Sequence, residues 1–182
     1  MPHMNDMDGK ISQGWGGQKP NGVHVNVFLA QRGTPTAAAL TSVFTQPSPG
    51  FCPILVVTGE NQASYQTVLP PTMMLIKIAP STDFQETLIF GAAQVGIAQA
   101  VLDSVAEGLL EATQDTLVYV ALWIDADADS EDAVRISMRA AAKAAIKEAV
   151  LGRPAGSAEE LVAARDSVTH PFYNGLSTLE RS

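Results

Sequence analysis

The stretch from Val23 to Ala30 places Val23, Val25, Val27 and Leu29 in strict alternation with His24, Asn26, Phe28 and Ala30. A period of two is that of a β-strand, whose successive side chains point to opposite faces. The run therefore predicts a strand over about 22–30 with one aliphatic face and one face of mixed chemistry. His24 and Asn26 fall on that second face, side by side. An imidazole there is a titratable group, and it is the side chain whose ordinary pKa allows proton transfer near neutral pH. A chain holding this strand must build a sheet with two unlike faces.

The other elements follow from punctuation and periodicity. Thr34-Pro35 predicts a helix start, with Thr as N-cap and Pro at the first helical position, continuing to Phe44. Cys52–Thr58 and Thr72–Ile78 read as further strands, with Lys77 facing away from Ile76 and Ile78. Residues 83–110 carry the longest helical pattern, with Val95, Ala98, Leu102, Val105 and Leu109 as its apolar stripe. Thr116–Ile124 is apolar enough for a central strand. Ser130-Glu-Asp132 caps a second long helix to Val150, closed by Gly152 and Pro154. Ser157-x-x-Glu160 reads as a capping box for a short last helix. Strands and helices do not alternate strictly, which disfavours a doubly wound sheet. The expectation is an α+β fold, a two-layer α/β sandwich with a mixed sheet and two long helices on one face.

Residues 1–20, rich in glycine and poor in branched apolar residues, read as a flexible N-terminal tail, and 21–182 as a single domain. Length and hydrophobic content fit one globular domain with a sizeable core. The formal charge is −8 with 11 basic residues in no cluster, so nucleic acid is not expected as a partner. Met1–Lys10 has no apolar core of a secretory signal, and the Leu117–Ile124 run is too short for a bilayer. A cytoplasmic protein without a membrane partner is expected.

Several motif matches fail. Gly91-Ala-Ala-Gln-Val-Gly96 has the glycine spacing of a phosphate loop but is followed by Ile97-Ala98 instead of Lys-Ser/Thr. Asp125-Ala-Asp-Ala-Asp129 begins like a calcium loop, yet Ser130 and Ile136 stand where Gly and Glu are needed. His3, His24 and His170 have no metal-ligand spacing, so no metal is expected. The one cysteine, Cys52, excludes an internal disulfide and reads as a small buried residue.

The remaining segments carry a resemblance. His24 with Arg32-Gly-Thr-Pro35, Gly50-Phe51 leading to Leu55, Lys77 on its strand, Phe90-Gly-Ala-Ala-Gln94 with Gly96-Ile-Ala98, Val105-Ala-Glu-Gly108 and Thr169-His-Pro-Phe172 stand in one order. In that order and spacing the chain, from about Val23 to Phe172, resembles the formaldehyde-activating enzyme family, which condenses formaldehyde with tetrahydromethanopterin. The resemblance implies a domain of the ribosomal protein S5 domain 2-like type and a carbon–oxygen lyase. It implies His24 as proton donor and Asn26, Leu55, Lys77, Ala79 and Gln94 as pterin contacts, with tetrahydromethanopterin as co-substrate and no metal. It also implies a homo-oligomer, a cyclic pentamer, with His24 of one subunit near the Gln94 or Lys77 region of another. His170 reads as a structural anchor.

The chemistry suits these residue types. Formaldehyde adds to a pterin amine to give a carbinolamine, whose hydroxyl leaves only when protonated. General acid help of this kind is typically worth about 10²–10⁴-fold. Three departures from the family pattern stand out. Asn26 replaces an aspartate, Ala79 a threonine and Val95 a histidine. An aspartate beside the imidazole would favour its charged form, and an amide does not. Two other readings follow: a non-catalytic carrier or sensor that binds formaldehyde or a pterin, and a paralogue acting on another reduced pterin or folate.

Overall fold

A computed structural model describes residues 7–46, 48, 49, 51 and 53–173. The elements are β1 (Ile11–Gly16), β2 (Val23–Gln31), α1 (Pro35–Phe44), β3 (Ile54–Leu55), β4 (Val57–Thr58), β5 (Gln66–Thr67) and β6 (Thr72–Ile76). They continue with α2 (Asp83–Thr87), a π-helical stretch (Leu88–Ala93), α3 (Gln94–Ala106), β7 (Thr116–Ile124), α4 (Glu131–Leu151) and α5 (Ser157–Ala163). Five strands form one mixed sheet in the order β1-β2-β7-β6-β3. β6 and β7 run parallel, and the other neighbours in that sheet are antiparallel. The α+β sandwich expected from the alternating and helical patterns is present.

The aliphatic face of β2 is fully buried: Val23, Val25, Val27 and Leu29 pack with Val118, Val120 and Leu122 of β7 against α3 and α4. The second face is half covered. There α1 sets Ala37, Leu40 and Phe44 on Ala30, Phe28 and Tyr119, and the Tyr119 hydroxyl hydrogen-bonds Thr41. Thr34 caps α1 as expected, accepting from the Ala37 N–H, and Ser130 caps α4 by accepting from Ala133. Arg32-Gly-Thr-Pro35 is thus a strand-to-helix turn, with Gly33 at a positive φ of 85°.

Several expectations are corrected. Residues 11–16, expected within a flexible tail, form the edge strand β1. Gly14 and Gly16 face α4 there, and a Cβ at either would collide with the carbonyls of Ala141 and Ser137. Glycine lets the strand lie directly on the helix backbone. The tail is also tied at Asp8, whose carboxylate accepts from the Gln31 N–H and the Thr34 hydroxyl. The expected strand over 52–58 divides into β3 and β4, which belong to different sheets; Cys52 lies outside the described residues.

The long helical segment is broken by its π-helical turn and ends at Ala106. Its buried stripe is Ala93, Ile97, Val101 and Ser104, whereas Val95 and Leu102 of the expected stripe are 42% and 50% exposed. By length and composition residues 83–106 could cross a bilayer, but over half of the apolar window is buried in this core.

The chain falls into two compact units, one to Gly152 and another from Arg153. Beyond Gly152 no described residue is buried. In this second unit Gly156 precedes α5 with no side-chain cap, and Ser157 donates to the Pro154 carbonyl instead of forming the capping box. His170 accepts from the Phe172 N–H, a local turn contact.

Candidate active site

Strand register assembles the site. On the face of β2 away from α3 and α4, His24 lies between Trp15 of β1 and Trp123 of β7, and Asn26 lies between Gln13 and Ala121. Met73 and Leu75 of β6 point the same way. One more alternation puts Lys77 there too, and its N–H still bonds the Leu122 carbonyl. Leu55 pairs with Met73 and so shares this face, 43% exposed.

The polar groups form a chain. Lys77 Nζ lies 2.8 Å from His24 Nδ1, and His24 Nε2 lies 3.0 Å from Gln13 Oε1. The Lys77 ammonium is held below the ordinary lysine range by partial burial. It has no ion pair among the described residues. Beside this chain Trp15 and Trp123 stack, with ring centres 5.8 Å apart and planes inclined by 29°. Trp15 is 54% exposed, and its indole N–H donates to the Gly17 carbonyl. Trp123 also lines a cavity of about 230 Å³ with Ala79, Ile78, Leu88 and Asp125. An apolar aromatic wall next to a polar proton-bearing pair is what a site for a planar, partly polar ligand needs.

Of the residues singled out in the sequence, His24, Asn26, Leu55 and Lys77 share one face of one chain, and Ala79 adjoins it through Trp123. Lys77 and His24 already touch within one chain. Gln94 stands apart at the start of α3. Its Oε1 accepts from the Val57 N–H at 3.0 Å and its Nε2 donates to the Phe90 carbonyl at 2.6 Å, so its amide fastens β4 to the helix.

Gln13, Trp15 and Trp123 were missed. A signal existed for two of them: in Gln13-Gly-Trp-Gly16 long side chains alternate with glycine, the pattern of a strand whose other face lies against a backbone.

Residues 14–173 match the model of the formaldehyde-activating enzyme family. The chain is 35% identical over 158 residues to a 5,6,7,8-tetrahydromethanopterin hydro-lyase of Methanosarcina barkeri, covering 86% of this chain and 85% of that one. It is also 29% identical over 157 residues to a bifunctional enzyme Fae/Hps of Methanothrix thermoacetophila. Against one from Methanosarcina acetivorans it is 31% identical over 150 residues. Those matches cover 85% and 80% of this chain but only 38% and 36% of the bifunctional proteins. The chain belongs to the formaldehyde-activating enzyme family and is an enzyme of that lyase type.

Proposed function

We propose that this protein condenses formaldehyde with tetrahydromethanopterin to the methylene derivative and water, with His24 delivering the proton that expels hydroxide. The observation that carries the reading is the placement of His24. Its ring is hydrogen-bonded at both nitrogens, on an open sheet face, beside a stacked tryptophan pair. A planar reduced pterin stacks on Trp15, with Leu55 and Ala79 as apolar walls and Asn26 offering its amide to the polar edge.

His24→Ala should lower methylene-pterin formation above the spontaneous rate by roughly 10²-fold or more, with pterin affinity little changed. Full activity in that variant sinks the assignment. Asn26 supports a second reading: with an amide at position 26, the same face binds tetrahydrofolate, or holds a pterin without turnover. Titrating tetrahydromethanopterin and tetrahydrofolate, each with and without formaldehyde, separates these readings.

A cyclic homopentamer completes the proposal. Phe84, Phe90, Val95 and Leu102 leave an exposed apolar band along residues 83–106, next to Gln94. A ring uses one heterologous interface that closes on itself. Such a ring would let the Gln94 region of one subunit border the open face of the next.

A further inference from the structure

We propose that Asp125 anchors the reduced pterin, its carboxylate receiving the paired N–H donors of the ligand's 2-amino-4-oxopyrimidine ring inside the cavity lined by Trp123. This rests on the pterin reading above and assigns the place of one end of that ligand.

Three aspartates, Asp125, Asp127 and Asp129, follow β7 at alternate positions, and the first differs from the others. Asp127 and Asp129 are exposed and do not line the cavity. Asp125 is 6% exposed and lines the cavity of about 230 Å³ where β6 and β7 end. Leu88 and Ile89 of the π-helical stretch line it as well. Burying a carboxylate is costly unless its oxygens are hydrogen-bonded. Those two oxygens offer about four acceptor sites. Among the described residues the Asp125 carboxylate accepts from the Asp127 N–H at 3.1 Å and joins no ion pair. The other polar side chains of the lining are engaged with each other and with backbone. Ser81 Oγ donates to Gln85 Oε1 at 3.0 Å, and Gln85 Nε2 donates to the Ala126 carbonyl at 3.1 Å. These bonds tie the loop after β6 to the turn after β7. Asp125 is the lining group left with acceptor capacity.

Shape and chemistry select the occupant. Pockets for whole ligands run to about 300–1,000 Å³, so this cavity takes one end of a larger molecule. Its walls are mainly apolar and include the Trp123 indole, which suits a flat ring. Its carboxylate suits N–H donors, and two parallel N–H···O bonds to a carboxylate combine strength with a fixed orientation. The pyrimidine end of a pterin has this form: it is flat, with its ring N–H and 2-amino group side by side. The opposite, pyrazine side carries the amine that meets formaldehyde. Trp123 belongs to both places, since it lines the cavity with Asp125 and Ala79 and stacks on Trp15 beside His24. A pterin held at its pyrimidine edge presents its amines toward that stacked pair. Asp125 makes and breaks no bond in the reaction; it positions the ligand and selects its edge.

The test compares binding of pterin and of lumazine, which has an oxo group in place of the 2-amino group, by tryptophan quenching. The proteins are the full-length wild type, Asp125→Asn and Ala79→Leu. Lumazine turns an oxygen toward the carboxylate, so the wild type should prefer pterin by roughly 10–100-fold. Asp125→Asn keeps an oxygen for the Asp127 N–H, so its Tm should stay level. Its preference should shrink to within about 3-fold, and its KM for tetrahydromethanopterin should rise roughly 10-fold with kcat kept. Ala79→Leu alters an exposed side chain, leaves the Asp125 turn intact and narrows the cavity. It should weaken pterin binding about as much. A wild type indifferent to the 2-amino group, an Asp125→Asn protein with wild-type preference and KM, or unchanged pterin binding in Ala79→Leu overturns the anchor. If Asp125→Asn does not fold, the wild-type preference and Ala79→Leu decide. Turnover with wild-type KM in Asp125→Asn overturns the anchor and leaves the reaction standing. A wild type that adds nothing to the spontaneous rate yet prefers pterin overturns the reaction and leaves the anchor.

Discussion

Replacing Gly14 by alanine should show how far the site depends on β1 lying flat on α4. An added Cβ would stand 2.9 Å from the carbonyl carbon of Ala141, nearer still to its oxygen, and 3.2 Å from Ala145 Cβ. Non-bonded carbons settle at about 3.5–4.0 Å, so strand and helix must part by roughly an ångström. The obstacle is mostly helix backbone, which has no rotamer to change. Overpacking of this kind costs about 1–3 kcal/mol. At about 2–4 °C per kcal/mol for a chain of this size, Tm should drop by roughly 2–12 °C. The displacement also reaches Gln13 and Trp15, the neighbours of Gly14. The 3.0 Å contact from Gln13 to His24 would open, and the Trp15 ring would leave Trp123. Calorimetry and tryptophan emission read these two effects in one preparation. Gly91→Ala is the matched control, because a Cβ there meets nothing within 4 Å. It should leave Tm level or raise it, since alanine is favoured over glycine in a helix by about 1 kcal/mol. A Gly14→Ala protein with wild-type Tm and wild-type emission would refute the close-approach reasoning.

Two further outcomes are expected. The chain has two tryptophans, both in the stacked pair, so a reduced pterin bound at this face should quench nearly all intrinsic emission; Trp15→Leu should weaken its binding about 2–10-fold, the worth of one aromatic contact beyond its buried area. Light scattering should give the mass of a ring, and Leu102→Glu, which puts a charge into the exposed apolar band, should break it into smaller species without lowering Tm of the subunit.

Much of this architecture was legible because its signals are local. Alternation in β2, the Thr34-Pro35 cap and the Ser130 cap each depend on residues a few positions apart. β1 was hidden for a physical reason. Glycine has low strand propensity, and four glycines before residue 20 read as loop. What makes them strand is the approach of α4, more than a hundred residues later, and no local pattern records it. The apolar stripe of α3 misled because Val95 and Leu102 look like core residues yet face outward. In this chain that face is left open. The site itself was half legible. His24 and Asn26 sit on one strand, so their shared face follows from spacing. The Lys77–His24 contact spans 53 positions, and Gln94's amide is taken by a backbone N–H 37 positions away. Register and tertiary packing fix both, and the sequence alone shows neither.

The departures at positions 26 and 79 gain meaning from that geometry. One exchanges a carboxylate for an amide and the other removes a hydroxyl, beside the apolar surface of Trp15, Trp123 and Leu55. An aspartate at position 26 would favour the charged form of the neighbouring imidazole, and the amide of Asn26 does not. Gln13 Oε1 lies 3.0 Å from Nε2 of that imidazole and helps to orient the ring. Gln13 is held there by β1, and β1 is held by two glycines on α4. The orientation of the His24 ring on this face therefore reaches back, through Gln13, to a segment whose composition alone reads as a tail.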